Sequence, residues 1–585
     1  MDCGFENLKR CVFCLICGNA LEGAQGQRAN GAVGAQALRR RRRARKRREW
    51  TRRVDVEGAI YWYRDTTLVA MLFQSVVLVY NAQKTGCETR HHALSAETVD
   101  ASVTSDVIMA PNTPSDCQPT PSENIDPVIV SASELFHDAA ITTTSLDEEI
   151  SRVELSLVDP RHSQPLRFPI TDSLDDQSSS TRKAELKQLI VDSSLPFPSK
   201  LAQFVSTTTA TISPFIHVPS LHLSVHRADL YQESITLLVG LSTADIMKRL
   251  RIHFDKDIGV DAGGVYREWF LLVCEELVKP STGVFRCVDA ADQVFYLNPH
   301  SRHILGDNHL AHFFATGRFL GRALLEGNVT GFHLALPLLK IILGQPLSLS
   351  DLEFFDPETY RNLTWLLNND GADALGLDFS VCEQVVMADG STQTMVVDLI
   401  PNGRDVEVTD ANKALFVDRK FRYMVFESVS SQLYALLKGV YEVVPPEMLM
   451  LFDAEELDYV LSGSDEIDVD DWERNSKWTF DLEDHPVRKW FWEIVRALPN
   501  EHRRRLLQFS TGSSRVPLAG FSALTSFDGR LSPFTLNGVS VSDLGYIHGH
   551  ACFNRLDLPR YTCKHHLQLM LQVIVDGNAS GFTTV

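Results

Sequence analysis

Near the C-terminal end of the chain the residues HGHACFNRLDLPRY, beginning at His548, set Cys552 among two histidines, an asparagine and an aspartate. A free thiol of pKa ~8.5 is already a few per cent thiolate near neutral pH, so a modest electrostatic push suffices for covalent catalysis. If ACFN is extended, side chains alternate. His550, Cys552 and Asn554 then share one face, and Phe553 points the other way as an anchor in the core. The same residue types also admit a plainer reading, a small thiol packed beside an aromatic. On local residues alone both stay open.

The elements that must position such a turn are legible in outline. Apolar periodicity predicts helices after DAGG (VYREWFLLVCEEL), where Asp261 suits a helix start, and over 309–327, 411–438, 487–498 and 564–575. Short alternating or β-branched runs predict strands at 221–226, 249–254, 293–297, 395–400 and 533–539. Helices outnumber strands and do not alternate with them regularly, so the predicted class is α+β rather than a doubly wound parallel sheet. No P-loop, glycine-rich dinucleotide turn or internal repeat is present, and no cofactor is expected.

The 585 residues carry 56 Lys+Arg against 75 Asp+Glu, a net −19. Residues 39–53 hold a local +10, which leaves −29 on the rest. An acidic body argues against a specific nucleic-acid partner, and the arginine run reads as a nuclear-import signal or a solvated tail. Eleven cysteines without a signal-peptide pattern read as reduced thiols of a cytoplasmic protein with possible nuclear access. Cys3, Cys11, Cys14 and Cys17 include C-x-x-C spacing but form one tight cluster without a distant second pair, so no metal site is expected. The apolar stretch 68–80 is short and interrupted by Gln74 and Ser75, which favours a core or interfacial segment over membrane contact.

Beyond Cys552 itself, HACFNRLDLPRY followed by a helix and GFTTV resembles the end of a HECT-type ubiquitin ligase, nearest the Nedd4-like branch. The resemblance covers roughly 220–585. It runs through LHLSVHRADLYQESI, GVDAGGVYREWF, GRFLGRALLEG, DLEFFDPETYRNLTWLLNND, DLIPNGRDVEVTDANK, LFDAEELDYVLSG, DVDDWERNSKW, KWFWEIVRAL and RLLQFSTGSSRVPLAGF, in family order. It implies a bilobal domain, with a large, mostly helical N-lobe over 220–475, a hinge at 476–483 and a small α/β C-lobe over 484–585. A helical lead-in is expected at 184–219, a disordered Ser/Thr/Pro/Asp-rich linker at 86–183, and an N-terminal region of uncertain role at 1–85.

By the same resemblance, Cys552 accepts ubiquitin as a thioester from a conjugating enzyme and passes it to a substrate lysine. His550 and Asn554 support the site, Asp557 either supports it or holds the turn, and Phe582 anchors the tail. Glu268 and Arg515 resemble a pair that orients the lobes. Leu363, Trp365, Leu366, Leu367 and Phe379 correspond to the conjugating-enzyme groove, although these apolar positions also suit a core. The chain departs from its relatives just before the cysteine. Tyr546, Ile547, His548, Gly549, His550 and Ala551 stand where Leu-Pro-x-Ala-His-Thr is usual. That departure motivates an alternative, a weak pseudo-ligase that binds ubiquitin or its conjugating enzyme without transfer. Upstream, WTRRVDVEGAIYWYRDTT resembles part of a WW domain, with Trp50, Asp55, Gly58, Tyr61 and Trp62 in register but the second tryptophan and trailing proline absent.

Overall fold

A computed structural model describes residues 50–54, 60–64, 76–82, 129–158, 179–212, 220–255, 264–290, 293–387, 390–463, 467–517, 520–524, 532–541 and 545–576. The cysteine cluster, Asp261 and Phe582 lie outside the described residues. The fold is α+β and its buried apolar side chains fall into two clusters. One runs from Val76 to Leu461 and the other from Ile467 to Val575.

The larger lobe is built around two helices that cross at glycines. Numbering strands and the longer helices in chain order, the N-terminal segments are β1 (Trp50–Val54), β2 (Ile60–Arg64), β3 (Val77–Ala82), β4 (Ile129–Ser131), α1 (Ala132–Arg152) and β5 (Val153–Val158). Next come α2 (Ser179–Asp192), α3 (Phe197–Ile212), β6 (Leu221–Val225), α4 (Leu230–Gly240), β7 (Leu250–Phe254) and α5 (Gly264–Val278). Then follow β8 (Phe285–Asp289), β9 (Val294–Leu297), α6 (His309–Glu326) and β10 (His333–Leu334). A subdomain of α7 (Pro357–Asn368), β11 (Ser380–Val386), β12 (Thr392–Asp398) and α8 (Lys413–Val425) precedes α9 (Ser430–Val443) and α10 (Ala454–Ser462).

Helix α6 is buried along nearly its whole length. It meets α9 so closely that a Cβ at Gly317 would sit 2.1 Å from the Leu436 carbonyl, and one at Gly439 would sit 2.2 Å from that of Phe314. The run 411–438 forms α8 and α9 rather than one helix, because Phe426 leaves helical geometry at φ −151°.

Two expected boundaries are corrected. The linker 86–183 contains α1, whose Leu135, Ala139, Leu146 and Ile150 recur at helical spacing and pack into the large core. Its Glu149 is held by the Tyr434 hydroxyl and by Lys438, and Arg422 Nη1 donates to the Leu157 carbonyl at 2.8 Å. Strand β5 pairs antiparallel with β3, and β4 runs parallel to β6. The second correction concerns the hinge. Trp472, in the short helix Val469–Arg474, is fully buried in the smaller core and stacks on Phe521 at 5.0 Å. The strand β13 (Lys477–Trp478) then joins the sheet of the smaller lobe. Residues 476–483 are thus part of the C-lobe, and the two cores separate between Leu461 and Ile467.

The C-lobe continues with α11 (Pro486–Ala497), α12 (Asn500–Thr511), β14 (Thr535–Val539), β15 (His548–His550), β16 (Arg555–Pro559) and α13 (Lys564–Asp576). Its four-stranded sheet has the order β13-β14-β16-β15, with β15 antiparallel to β16. Among the described residues, no helix is long and apolar enough to cross a membrane, and no cluster of three or more His, Cys, Asp or Glu could hold a metal.

Candidate active site

Cys552 lies on the four-residue turn that joins β15 to β16. The segment is not extended. Ala551–Phe553 makes a 3-10 turn, and Asn554 closes it in the left-handed region at φ 51°, which asparagine tolerates better than most residues. Alternation therefore fails. Asn554 is fully buried, whereas Phe553 is 53% exposed and does not anchor the segment. Asn554 Nδ2 donates to the Ser532 carbonyl at 2.8 Å, and its own carbonyl accepts from the Thr535 amide at 2.9 Å. These bonds tie the turn to the start of β14.

The departures before the cysteine have a packing context. A Cβ at Gly549 would lie 2.3 Å from the Phe509 carbonyl of α12, so the glycine allows β15 to lie directly on that helix. His550 sits at the end of β15 opposite Arg555. Its Nε2 is 2.9 Å from Oδ2 of Asp557. The other Asp557 oxygen accepts from Arg555 Nε at 2.7 Å and from Asn537 Nδ2 at 2.8 Å. Burial pushes the Asp557 carboxyl up, but the bonds from Arg555, Asn537 and His550, together with the Arg555 charge, outweigh it and hold the group below the usual carboxylate range. Asp557 both holds the strands and orients His550.

The other predicted residues divide. Glu268 on α5 is engaged by Arg227 through two bonds, at 2.8 and 3.2 Å. Arg515 is buried and donates to the Gly331 carbonyl of the N-lobe at 2.8 Å, so it does bridge the lobes, through a backbone acceptor in this arrangement. Of the groove candidates, Leu363, Leu366 and Phe379 are buried in the large core and Leu367 is half-buried. Phe379 packs edge-on against Phe416 at 5.5 Å. Trp365 alone among the five is exposed, at 53%, with Leu375 and Leu377 also exposed a short way along the chain. That loop is pinned by Asp410, which accepts from the Gly371 and Ala372 amides. Those bonds and Lys413 lower its pKa to about 2.

Sequence reasoning missed Arg267, Ser532, Asn537 and Arg555. Arg555 and Asn537 had a usable signal, since i and i+2 in a strand share a face and Asn537 stands opposite Asp557 on β14.

The sequence matches the HECT-domain (ubiquitin-transferase) family over residues 271–585, more than half of the chain. The chain belongs to the HECT family. It is 36% identical over 366 residues to the E3 ubiquitin-protein ligase ptr1 of Schizosaccharomyces pombe, which covers 62% of this chain and 11% of that protein. It is 34% identical over 382 residues to the E3 ubiquitin-protein ligase pub1 of the same yeast, covering 65% of this chain and 48% of the relative. The E3 ubiquitin-protein ligase UPL1 of Arabidopsis thaliana is 32% identical over 470 residues, covering 79% and 13%. This HECT chain therefore spans from about a tenth to about half of the length of these relatives. Helix α1 and strands β4 to β7 lie upstream of the matched HECT residues yet share the N-lobe core.

Proposed function

We propose that the chain is a ubiquitin ligase that takes ubiquitin onto Cys552 from a conjugating enzyme and passes it to a lysine of a protein substrate. Family membership supports the reaction class. The observation that carries the residue assignment is the β15–β16 turn, which sets Cys552 between a histidine oriented by a buried aspartate and a buried, fully tethered asparagine. In the first transfer the Cys552 thiolate attacks the thioester carbon of the charged enzyme. A new C–S bond forms, and the conjugating enzyme's cysteine leaves as thiolate. Exchange between two thioesters is nearly balanced, so the protein chiefly has to bring the atoms together. In the second transfer a neutral lysine amine attacks, the C–N bond forms, Cys552 leaves as thiolate, and the amine's extra proton passes to water or a nearby base. His550, held by Asp557, is the side chain assigned to orient these groups.

Docking of the conjugating enzyme is assigned to the subdomain face that carries Trp365, and Phe582 to support of the second transfer. The cytoplasm, with nuclear access through residues 39–53, is the compartment that fits a reduced thiol nucleophile.

Incubation of the full chain with charged conjugating enzyme should give an adduct that a reducing agent cleaves. Cys552→Ser should give one that resists reduction, and Cys552→Ala none. Absence of any adduct across a broad panel of conjugating enzymes would retire the proposal.

A further inference from the structure

Arg267 crosses from the N-lobe to the turn that carries the nucleophile. It lies on α5, a helix whose own position is fixed. Its neighbour Trp269 is buried and donates to Ser234 at 2.8 Å, Tyr266 donates to Glu326 at 2.6 Å, and Glu268 is engaged by Arg227. From that base Arg267 Nη1 reaches the C-lobe, where it donates to the Thr511 carbonyl at 3.2 Å and to Asn554 Oδ1 at 3.4 Å.

Both acceptors bear on Cys552. Thr511 ends α12, where unpaired carbonyls concentrate partial negative charge that favours a cation. The next residue, Gly512, is left-handed at φ 73°, and a Cβ there would lie 3.5 Å from that of Ala551 and 3.8 Å from that of Arg267. The arginine stem, the helix end and the residue before Cys552 are therefore packed together. Asn554 holds the other end of the turn. A single N-lobe side chain thus bonds one end of the cysteine turn and the helix end that packs against the other.

We propose that Arg267 is a positioning residue for the second transfer, discharge of ubiquitin from Cys552 to lysine; this rests on the ubiquitin-transfer reading above. Two observations favour discharge over loading. Among the described residues, hydrogen bonds join the C-lobe to Arg267 of α5 and to Gly331, on the N-lobe surface near α5 rather than at Trp365, where docking of the conjugating enzyme is assigned. Loading also begins and ends with a thiolate and a thioester, whereas attack by a neutral amine builds up separated charge on nitrogen and the carbonyl oxygen before the C–S bond breaks. That step is the more sensitive to how the turn is held. Arginine suits the role because the two N–H groups of Nη1 lie in the fixed guanidinium plane and can serve both acceptors.

The test is a two-stage single-turnover assay on the full chain. Cys552 is loaded from charged conjugating enzyme, recharging is stopped, and loss of the adduct to added free lysine is followed. Arg267→Ala should load within about twofold of wild type while its discharge slows on the order of tenfold or more. Arg267→Lys should recover part of the discharge rate, since it restores a cation without the planar guanidinium. A merely structural role would slow both stages together, and that result overturns the inference, as would discharge at the wild-type rate. Normal loading by the variant also shows that it is folded. If wild type itself fails to load, the ubiquitin-transfer reading fails, an outcome distinct from failure of the Arg267 assignment.

Discussion

His550 Nε2 and Asp557 Oδ2 meet at 2.9 Å diagonally across the antiparallel β15–β16 pair. The diagonal contact is possible because the two side chains share one face of the sheet, His550 facing Arg555 while Asp557 stands two residues further along β16. The aspartate is nearly buried and the histidine is partly open to solvent, so the imidazole is oriented from behind and available in front.

Loss of that orientation should be measurable separately from loss of fold. Asp557→Ala removes the acceptor for Arg555, Asn537 and His550 together and should destabilise the chain by ~1–3 kcal/mol. Asp557→Asn keeps the shape and should cost less, while still slowing transfer through Cys552. Denaturant midpoints and the rate of adduct turnover, taken on both variants, check this. Equal turnover in wild type and Asp557→Asn would remove Asp557 from the site.

Acid should weaken the chain in two windows. His312 on α6 is buried against the Tyr231 hydroxyl, 2.9 Å from its Nδ1. Burial, with help from His309, pushes its pKa down to about 4. An unfolded histidine near 6.5 binds a proton that the native one refuses, so stability is full above ~6.5 and falls as the pH drops toward 4, by up to ~3 kcal/mol. Asp557 acts in the lower window. Its depressed pKa contributes stability above the unfolded value of ~3.9, which is lost as the pH falls through the folded value. Denaturant midpoints between pH 7.5 and 4.5 should decline in wild type, and the decline should flatten in His312→Gln.

Much of this was legible in the sequence where the determinant is local, and the failures share a cause. The helices at His309–Glu326, Pro486–Ala497 and Lys564–Asp576 follow from periodicity alone. Helix α1 was hidden because composition averaged over a polar hundred residues diluted the stripe Leu135, Ala139, Leu146 and Ile150. The hinge was misplaced because β13 pairs in parallel with β14, so that Lys477 meets Thr535, a distant partner that no local pattern announces. The same holds for Arg267 against Thr511 and Asn554. At Phe553 the error was one of period: a left-handed Asn554 turned an assumed strand into a turn and exposed the ring.

The assigned docking face separates into surface and support. Trp365→Ala removes an exposed ring and should leave the melting temperature within about 2 °C of wild type, while lowering the rate at which charged conjugating enzyme loads Cys552. Leu366→Ala, one residue on, opens a cavity in the large core and should cost ~2–5 kcal/mol. If Trp365→Ala loads at the wild-type rate with several conjugating enzymes, docking belongs elsewhere.

The WW-like fragment forms an antiparallel hairpin, β1 with β2, in which Arg52 faces Trp62. Those two side chains are committed to the N-lobe rather than to a peptide. Trp62 Nε1 donates to the Gly344 carbonyl at 3.0 Å, Arg52 donates to the carbonyls of Met450 and Leu343, and the guanidinium lies 4.6 Å from the Trp62 ring centre. A ring fixed this way is not free to stack on proline, so the hairpin should act as a clamp on the lobe. Trp62→Ala loses one hydrogen bond and one cation–π contact and should lower stability by ~1–2 kcal/mol. Proline-rich peptides should show no saturable binding to wild type at concentrations up to about a millimolar, as judged by tryptophan fluorescence. Saturable binding that disappears in Trp62→Ala would make the hairpin a recognition module after all, and would require it to leave the lobe first.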